Sequence, residues 1–262
     1  MKTTLQNKAD SRINILGVGV TSTSVSSVLT KISQICRISL KKPFFITTVN
    51  PEFVMLAQDD PEFKKILNSA DLAIADGVGL RFAQQIQNLK SQFTNKSQKT
   101  NFKKLEIIPG RKLVEEILKL KKYKFFFLGG RNKVAEAMAK KYGGASDPGH
   151  DDIKSQIQNP KSQINLKIIN KINNYKPDIL LVAYGAPYQE KWLYANRYAL
   201  NAKVAMGVGG VFDYLTGRAA LPPEWINRLG LEWLWRLVHE PWRWRRQLSL
   251  IRFVFAILKS LF

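Results

Sequence analysis

Asp76 stands between an apolar tetrapeptide, Leu72-Ala-Ile-Ala75, and Gly77. A carboxylate placed where a buried strand gives way to a turn can act as a general base, drawing a proton from an attacking hydroxyl. The same residue can equally cap the helix that follows. Thr48-Val-Asn50-Pro51-Glu52 poses the same pair of readings. Asn50 suits a helix N-cap with Pro51 in the first turn, and that geometry leaves Thr48 and Asn50 side by side at a strand end. Near the C-terminus Arg236, Arg243, Arg245 and Arg246 crowd together. The planar fork of arginine suits phosphate oxygens. On a helix Arg236, Arg243 and Arg246 would share one broad face, as would any solvated basic surface. The glycine turns Gly129-Gly130 and Gly209-Gly210 offer backbone N–H groups to phosphate oxygens at helix starts. Asp213 follows closely, within reach of ribose hydroxyls or simply a turn acid. Gln189 opens a further helix after Gly185.

Other chemistries find less support. The chain has no Asp-x-Asp pair for a metal-bound diphosphate, so no metal site is expected and positive side chains must offset a phosphate leaving group. Cys36 is the only cysteine, which rules out an internal disulfide and a multi-cysteine metal site. Gly17-x-Gly19 is a weak dinucleotide signal, since Ser22 stands where a third glycine would be. No cofactor is expected.

These residues need elements to hold them. Strands are read at 13–19, 44–50, 71–75, 124–130, 178–185 and 202–210, alternating with helices near 24–35, 51–57, 78–87, 113–119, 133–142 and 189–199. Apolar strands alternating with helices predict an α/β fold, a Rossmann-like and mainly parallel sheet with helices on both faces. In such sheets ligands sit beyond the carboxyl ends of the strands, where the polar and glycine clusters above fall. Residues 1–220 are read as this core. Two polar stretches, 88–104 and 153–165, interrupt it and read as loops. From Leu221 the composition changes: residues 221–262 hold five of the six tryptophans and form a basic, mostly helical C-terminal appendage. Its last stretch carries Ile251, Val254, Phe255, Leu258 and Leu261 at helical spacing beside Arg252 and Lys259, the pattern of an interfacial amphipathic helix. Packing on protein is the rival reading.

Lys+Arg number 41 against 20 Asp+Glu, a net charge of +21 that calls for a polyanionic partner. A nucleic-acid-binding protein or a peripheral membrane scaffold would explain that charge, but the polar stretches and the appendage hold much of the excess, so no nucleic acid is expected. Residues 1–12 are polar, and no segment reaches the roughly 20 apolar residues of a membrane span. A cytoplasmic protein, peripheral on the inner face of the cell membrane and bound to its anionic surface, is the expectation. A homo-oligomer is compatible with the sequence, but no pattern specifies one.

In order along the chain, Thr47-Thr-Val-Asn-Pro-Glu52, Ala70-Asp71 to Asp76-Gly-Val-Gly79, Gly185-Ala-Pro-Tyr-Gln-Glu-Lys-Trp192, Gly209-Gly-Val-Phe-Asp213 and Leu229-Gly-Leu-Glu-Trp-Leu-Trp-Arg236 through Pro241 resemble the bacterial WecG/TagA/CpsF family, glycosyltransferase family 26. The resemblance implies metal-independent, inverting transfer of an N-acetylmannosamine-type sugar from a UDP donor to a polyprenyl-diphosphate-linked sugar. The UDP-sugar is then a substrate, and the setting is synthesis of a cell-surface polysaccharide or a teichoic-acid-like polymer. It also implies Asp76 as catalytic base, Thr48, Asn50 and Gln189 on the sugars, Asp213 on the nucleotide, and Arg236, Arg243 and Arg246 on the diphosphates. One departure stands out. Where the family often has an arginine before a Thr-Gly turn, this chain reads Ile107-Ile-Pro-Gly110-Arg-Lys-Leu, so either one phosphate or acceptor contact is missing or Arg111 replaces it.

Overall fold

Phe125-Phe-Phe-Leu-Gly129 and Ile179-Leu-Leu-Val-Ala183 are apolar almost throughout, and such strands are stable only with both faces covered. The computed structural model describes residues 12–94, 104–149, 152–228, 232–239, 241 and 244–260. The first half of the chain runs β1 (Arg12–Ile15), β2 (Val18–Thr21), α1 (Val25–Ile35), β3 (Phe44–Val49), α2 (Pro51–Asp59), α3 (Pro61–Ser69), β4 (Leu72–Ala75), α4 (Val78–Thr94) and α5 (Gly110–Lys119). It continues with β5 (Phe125–Gly129), α6 (Val134–Tyr142), β6 (Ala145–Asp147), α7 (Ile153–Gln158), α8 (Gln163–Tyr175), β7 (Ile179–Ala183), α9 (Tyr188–Asn196), β8 (Val204–Gly207) and α10 (Val211–Leu215). The C-terminal helices are α11 (Glu224–Arg228), α12 (Glu232–His239) and α13 (Trp244–Lys259).

The strands form one eight-stranded sheet in the order β1-β2-β4-β3-β8-β7-β5-β6. All neighbours are parallel except the hairpin of β1 with β2. On one face Ile46, Ile74, Phe127 and Met206 pack under α1, α5, α6 and α10. On the other, Val49 and Ala73 meet Phe53, Phe63 and Leu80, while Phe126 and Leu180 meet Ile169, Ile172 and Trp192. The expected α/β sheet with helices on both faces is therefore the fold of this chain.

Four local expectations need correction. Gly17 and Gly19 do not open a helix. Leu16 and Gly17 both have positive φ, 49° and 83°, and turn the β1–β2 hairpin. Because β2 runs parallel to β4, that turn lies at the end of the sheet opposite to Asp76. The first polar stretch is helical at 88–94, where α4 runs on to Thr94, and residues 95–103 lie outside the described residues. The second, 153–165, is also helical. Asp152 caps α7 through Ser155, Ser162 caps α8 through Asn165, and Ile168, Ile169 and Ile172 face the core. Composition hid this because one polar residue is buried with every polar atom matched. The Asn165 Nδ2 donates to Pro160 O at 2.7 Å and to Asn196 Oδ1 at 2.8 Å, and its Oδ1 accepts from Trp192 Nε1 at 2.8 Å. Finally, α3 was not anticipated, although Asp60-Pro61-Glu62 is a helix start: the Asp60 carboxylate accepts from Phe63 N at 2.9 Å.

The appendage returns to the core through α13. Phe253 and Ile257 are buried against α2 and α4, and Arg252, expected to face lipid, forms a two-pronged pair with Asp59 at 2.9 Å on both prongs. That pair is exposed and contributes little to stability. The burial of Phe253 and Ile257 sets which way the helix faces, and the pair is consistent with that orientation.

The buried Asn165 yields a stability prediction. Asn165→Ala leaves the Trp192 indole N–H and the Asn196 carbonyl unmatched in the interior, and should cost about 2–4 kcal/mol. Urea denaturation checks it: the midpoint should fall with an unchanged slope.

Candidate active site

A cleft of about 410 Å³ opens where β3, β4, β7 and β8 end. It lies across the boundary between β3 and β8, where the half of the sheet made by β1 to β4 meets the half made by β5 to β8. This is the crevice that doubly wound sheets use for ligands.

Asp76 lies on its wall, one residue beyond β4. Its backbone N–H donates to Val49 O at 2.7 Å, which ties the end of β4 to the end of β3. The carboxylate is held from the far side, where Oδ2 accepts from Gly110 N at 3.1 Å, in the first turn of α5. Glycine at 110 eases this approach: a β-carbon there would come within 3.1 Å of Thr48 Cγ2 and 3.2 Å of Asp76 Oδ2, a tight fit. Thr48, nearly buried, and Asn50 line the same wall. Asn50 does what a cap does, its Oδ1 accepting from Phe53 N at 2.9 Å with Pro51 at the first helical position. Capping and lining the cleft are thus one placement rather than two alternatives.

The opposite wall is built by Gln189. Its side chain is buried, and Oε1 accepts from both Gly185 N at 3.1 Å and Gly209 N at 2.9 Å. One carboxamide therefore pins the turn after β7 to the turn after β8. Its Nε2 donates to Glu190 Oε1 at 2.8 Å. Gln189 was expected on the sugar, and most of its hydrogen-bonding capacity goes into holding the wall. Gly209 and Gly210 are at the cleft as expected.

Two expected residues are placed elsewhere. Gly129 lies outside the cleft lining; with φ 84°, a β-carbon there would sit 2.6 Å from the Tyr184 ring, so glycine makes room for that ring. Asp213 also lies off the lining, on α10, where its carbonyl accepts from Arg218 N and Ala219 N and closes the following turn. Arg243 lies outside the described residues, as do the side chains of Arg236 and Arg246, which belong to α12 and α13.

Sequence reasoning missed other parts of the site. Ser249 and Leu250 of α13 line the cleft, so the last helix closes it. Nothing local announced this, because the contact spans most of the chain. Arg111, which the sequence did single out as a substitute for the family arginine, lines the cleft too: its Nη1 pairs with Glu115 at 2.6 Å, while its Nε is buried and has no hydrogen-bond partner. Glu190 has no exposed surface, and burial pushes its carboxyl up to about 8 against the opposing hydrogen bond from Gln189. Among the described residues, no group of three or more His, Cys, Asp and Glu gathers as a metal site would require. The arrangement is a carboxylate and small polar groups on one wall, backbone turns on the other, and a cationic side chain between.

Known proteins carry the same pattern. A family model described as "Glycosyl transferase WecG/TagA/CpsF family" matches residues 13–262. A Bacillus subtilis (strain 168) protein named N-acetylglucosaminyldiphosphoundecaprenol N-acetyl-beta-D-mannosaminyltransferase is 31% identical over 222 residues, covering 82% of this chain and 79% of that protein. A Staphylococcus aureus (strain MRSA252) protein of the same name is 27% identical over 259 residues, covering 95% and 93%. With the motifs in order over almost the whole length and the cleft built from them, this chain belongs to the WecG/TagA/CpsF family and is a glycosyltransferase.

Proposed function

We propose that this chain transfers an N-acetylmannosamine-type sugar, with inversion and without a metal ion, from a UDP donor to a polyprenyl-diphosphate-linked sugar at the inner face of the cell membrane. The product would feed a cell-surface polysaccharide or teichoic-acid-like polymer. The observation that carries the reading is Asp76, a carboxylate held by Gly110 N on the wall of a cleft at the strand ends. The names of the relatives support the two sugars and the lipid diphosphate.

In this mechanism an acceptor hydroxyl lies against Asp76, which takes its proton as the oxygen attacks the anomeric carbon. The bond to the UDP oxygen breaks in the same displacement, so the configuration inverts and the electron pair leaves on the diphosphate. Thr48 and Asn50 orient the sugars from the Asp76 wall. The N–H of Gly210 in the turn after β8 and the guanidinium of Arg111 offset the growing negative charge. Arg236, Arg243 and Arg246 are assigned the same task from the appendage.

The membrane role rests on α13. With Phe253 and Ile257 turned to the core, Leu248, Ile251, Val254, Phe255 and Leu258 are exposed, Phe255 at 68%. Leu248, Ile251, Phe255 and Leu258 recur every three or four residues and form one stripe. Among the described residues no helix is long and apolar enough to cross a membrane, so this stripe would lie in the interface.

Three measurements test the proposal. Asp76→Asn should lower kcat by about 10²–10⁴-fold while calorimetry finds UDP binding retained; near-normal turnover would leave Asp76 a purely structural residue. Transfer should proceed unchanged in EDTA, and a strict need for Mg²⁺ or Mn²⁺ would overturn the arginine-based account. Serine at Ile251, Phe255 and Leu258 together should release the protein from anionic phosphatidylglycerol vesicles, since each side chain contributes about 1.5–3 kcal/mol when buried. Turnover of a soluble acceptor should survive that change. Vesicle binding unaltered by the serines would mean that the stripe packs on protein.

A further inference from the structure

Glu190 is the least expected group in the described structure. It has no exposed surface, and its Oε2 has no hydrogen-bond partner. Its Oε1 takes the one side-chain hydrogen bond offered, from Gln189 Nε2 at 2.8 Å, and the residue's own backbone N–H is the other donor to the carboxyl. The fold makes room for this pair: a β-carbon on Gly207 in β8 would come within 2.6 Å of Glu190 Oε1 and 2.7 Å of Gln189 Nε2. An interior carboxylate with only these neutral donors is far from satisfied, whereas a neutral carboxylic acid fits the site.

Among the described residues no cation pairs with it. The next residue, Lys191, is held by Asp60 at 2.7 Å and Glu62 at 2.6 Å. Of the elements packed on α9, β8 carries no titratable side chain, α3 carries Glu62, Lys64 and Lys65, and α8, joined to α9 through Asn165, carries Lys167, Tyr175 and Lys171, the last paired with Asp147 at 2.9 Å. On α7 the titratable group is Lys154, which lies over the Tyr188 ring at 5.9 Å. Burial dominates the ionisation of Glu190, with the hydrogen bond from Gln189 opposing it.

We propose that Glu190 is a positioning residue that acts as a neutral acid: by accepting from Gln189 Nε2 it fixes the carboxamide so that Oε1 faces both Gly185 N and Gly209 N. Without that anchor the carboxamide can turn over, presenting NH₂ to two N–H groups, and the two turns separate. Glu190 touches neither substrate nor reacting atoms. It acts through Gln189 on the wall that, on the transferase reading above, carries the donor diphosphate.

The neutral state has a pH consequence. A carboxyl raised from its ordinary 4.5 to about 8 keeps its proton in the folded chain after the unfolded chain has lost it. Its stabilising contribution is therefore complete below pH 4.5 and is lost as pH rises through about 8. Above that pH the buried charge must be hydrated, and the wall loosens.

Two variants separate the possibilities. Glu190→Gln keeps a neutral acceptor for Gln189, and Glu190→Met keeps the volume but offers none. Amide hydrogen exchange at Gly185 and Gly209 reads the clamp directly and does not depend on any transferase activity. Glu190→Met should raise exchange at both amides by about tenfold or more, and Glu190→Gln should leave it near wild type. With soluble acceptor, Glu190→Met should raise donor KM by about tenfold with a smaller change in kcat. The alkaline fall in wild-type activity and melting temperature near pH 8 should be absent from Glu190→Gln. If Glu190→Met leaves both amides protected, the clamp does not depend on Glu190 and the proposal fails. It fails equally if Glu190→Gln is as damaging as Glu190→Met, because the charged form would then be required. Should Glu190→Met not fold, the exchange and pH profiles of Glu190→Gln against wild type decide: a retained alkaline fall overturns the proposal. Loss of amide protection in Glu190→Met with an unchanged donor KM would refute the placement of the donor diphosphate on this wall and leave the clamp standing.

Discussion

Backbone N–H groups that leave a sheet at its strand ends must find acceptors, and at the carboxyl end of this sheet side-chain oxygens supply them. Asn50 takes Phe53 N, Asp76 takes Gly110 N, and Gln189 takes Gly185 N and Gly209 N. Each of these side chains also lines the cleft. The site therefore exists because the backbone has to be satisfied there. A substitution at any of the three loosens a turn as well as removing a polar group, which is why conservative replacements, and readouts of binding separate from turnover, carry the most information.

The appendage works under a different constraint. A helix whose apolar residues occupied one stripe could either pack on the core or face lipid. In α13 they occupy two. Phe253 and Ile257 complete the cluster formed by α2 and α4 and so set the rotation of the helix, with which the Arg252–Asp59 pair is consistent, leaving Ile251, Phe255 and Leu258 outward. A charge that composition assigns to the membrane is thus engaged within the protein. The net of +21 remains large, and Arg252 warns against reading it residue by residue.

Much of this was legible in the sequence for local reasons. Strands buried on both faces announce themselves by continuous apolar runs, and Asn50-Pro51 and Asp76-Gly77 mark strand ends whichever role one assigns them. What escaped was non-local. The pairing of β1 with β2 turned Gly17 from a phosphate turn into a hairpin, and only the partner strand reveals that. The stretch 153–165 reads as loop because Asn165 counts as polar, yet its three bonds to Pro160, Asn196 and Trp192 make it a core residue. Gly129 and Asp213 sit in motifs beside the cleft but not on its lining, because proximity in sequence to a strand end does not settle which way the following turn leads. Glu190 lay in plain view in Gln189-Glu190-Lys191-Trp192. A charged residue in the first turn of a helix is ordinarily solvated, and only the structure shows it fully buried.

The two roles of α13 also bear on the geometry of transfer. Ser249 and Leu250 line the cleft, while Leu248, Ile251 and Phe255, within a turn or two along the same helix, are exposed on its outer side. A helix with its side chains is about 10–12 Å across. On the proposed reading, then, the reacting sugar and the lipid interface stand on opposite sides of one helix. An acceptor tethered through a diphosphate to a polyprenyl chain has to meet just this requirement: its sugar must reach Asp76 while its tail stays in the bilayer. A soluble enzyme with a deep, enclosed pocket would have to extract the lipid. Here the helix that completes the cleft is also the one that would seat the protein, so docking and assembly of the site become a single event. The burial of Phe253 and Ile257 makes that coupling physical, because α13 cannot move into the membrane plane without carrying one wall of the cleft with it.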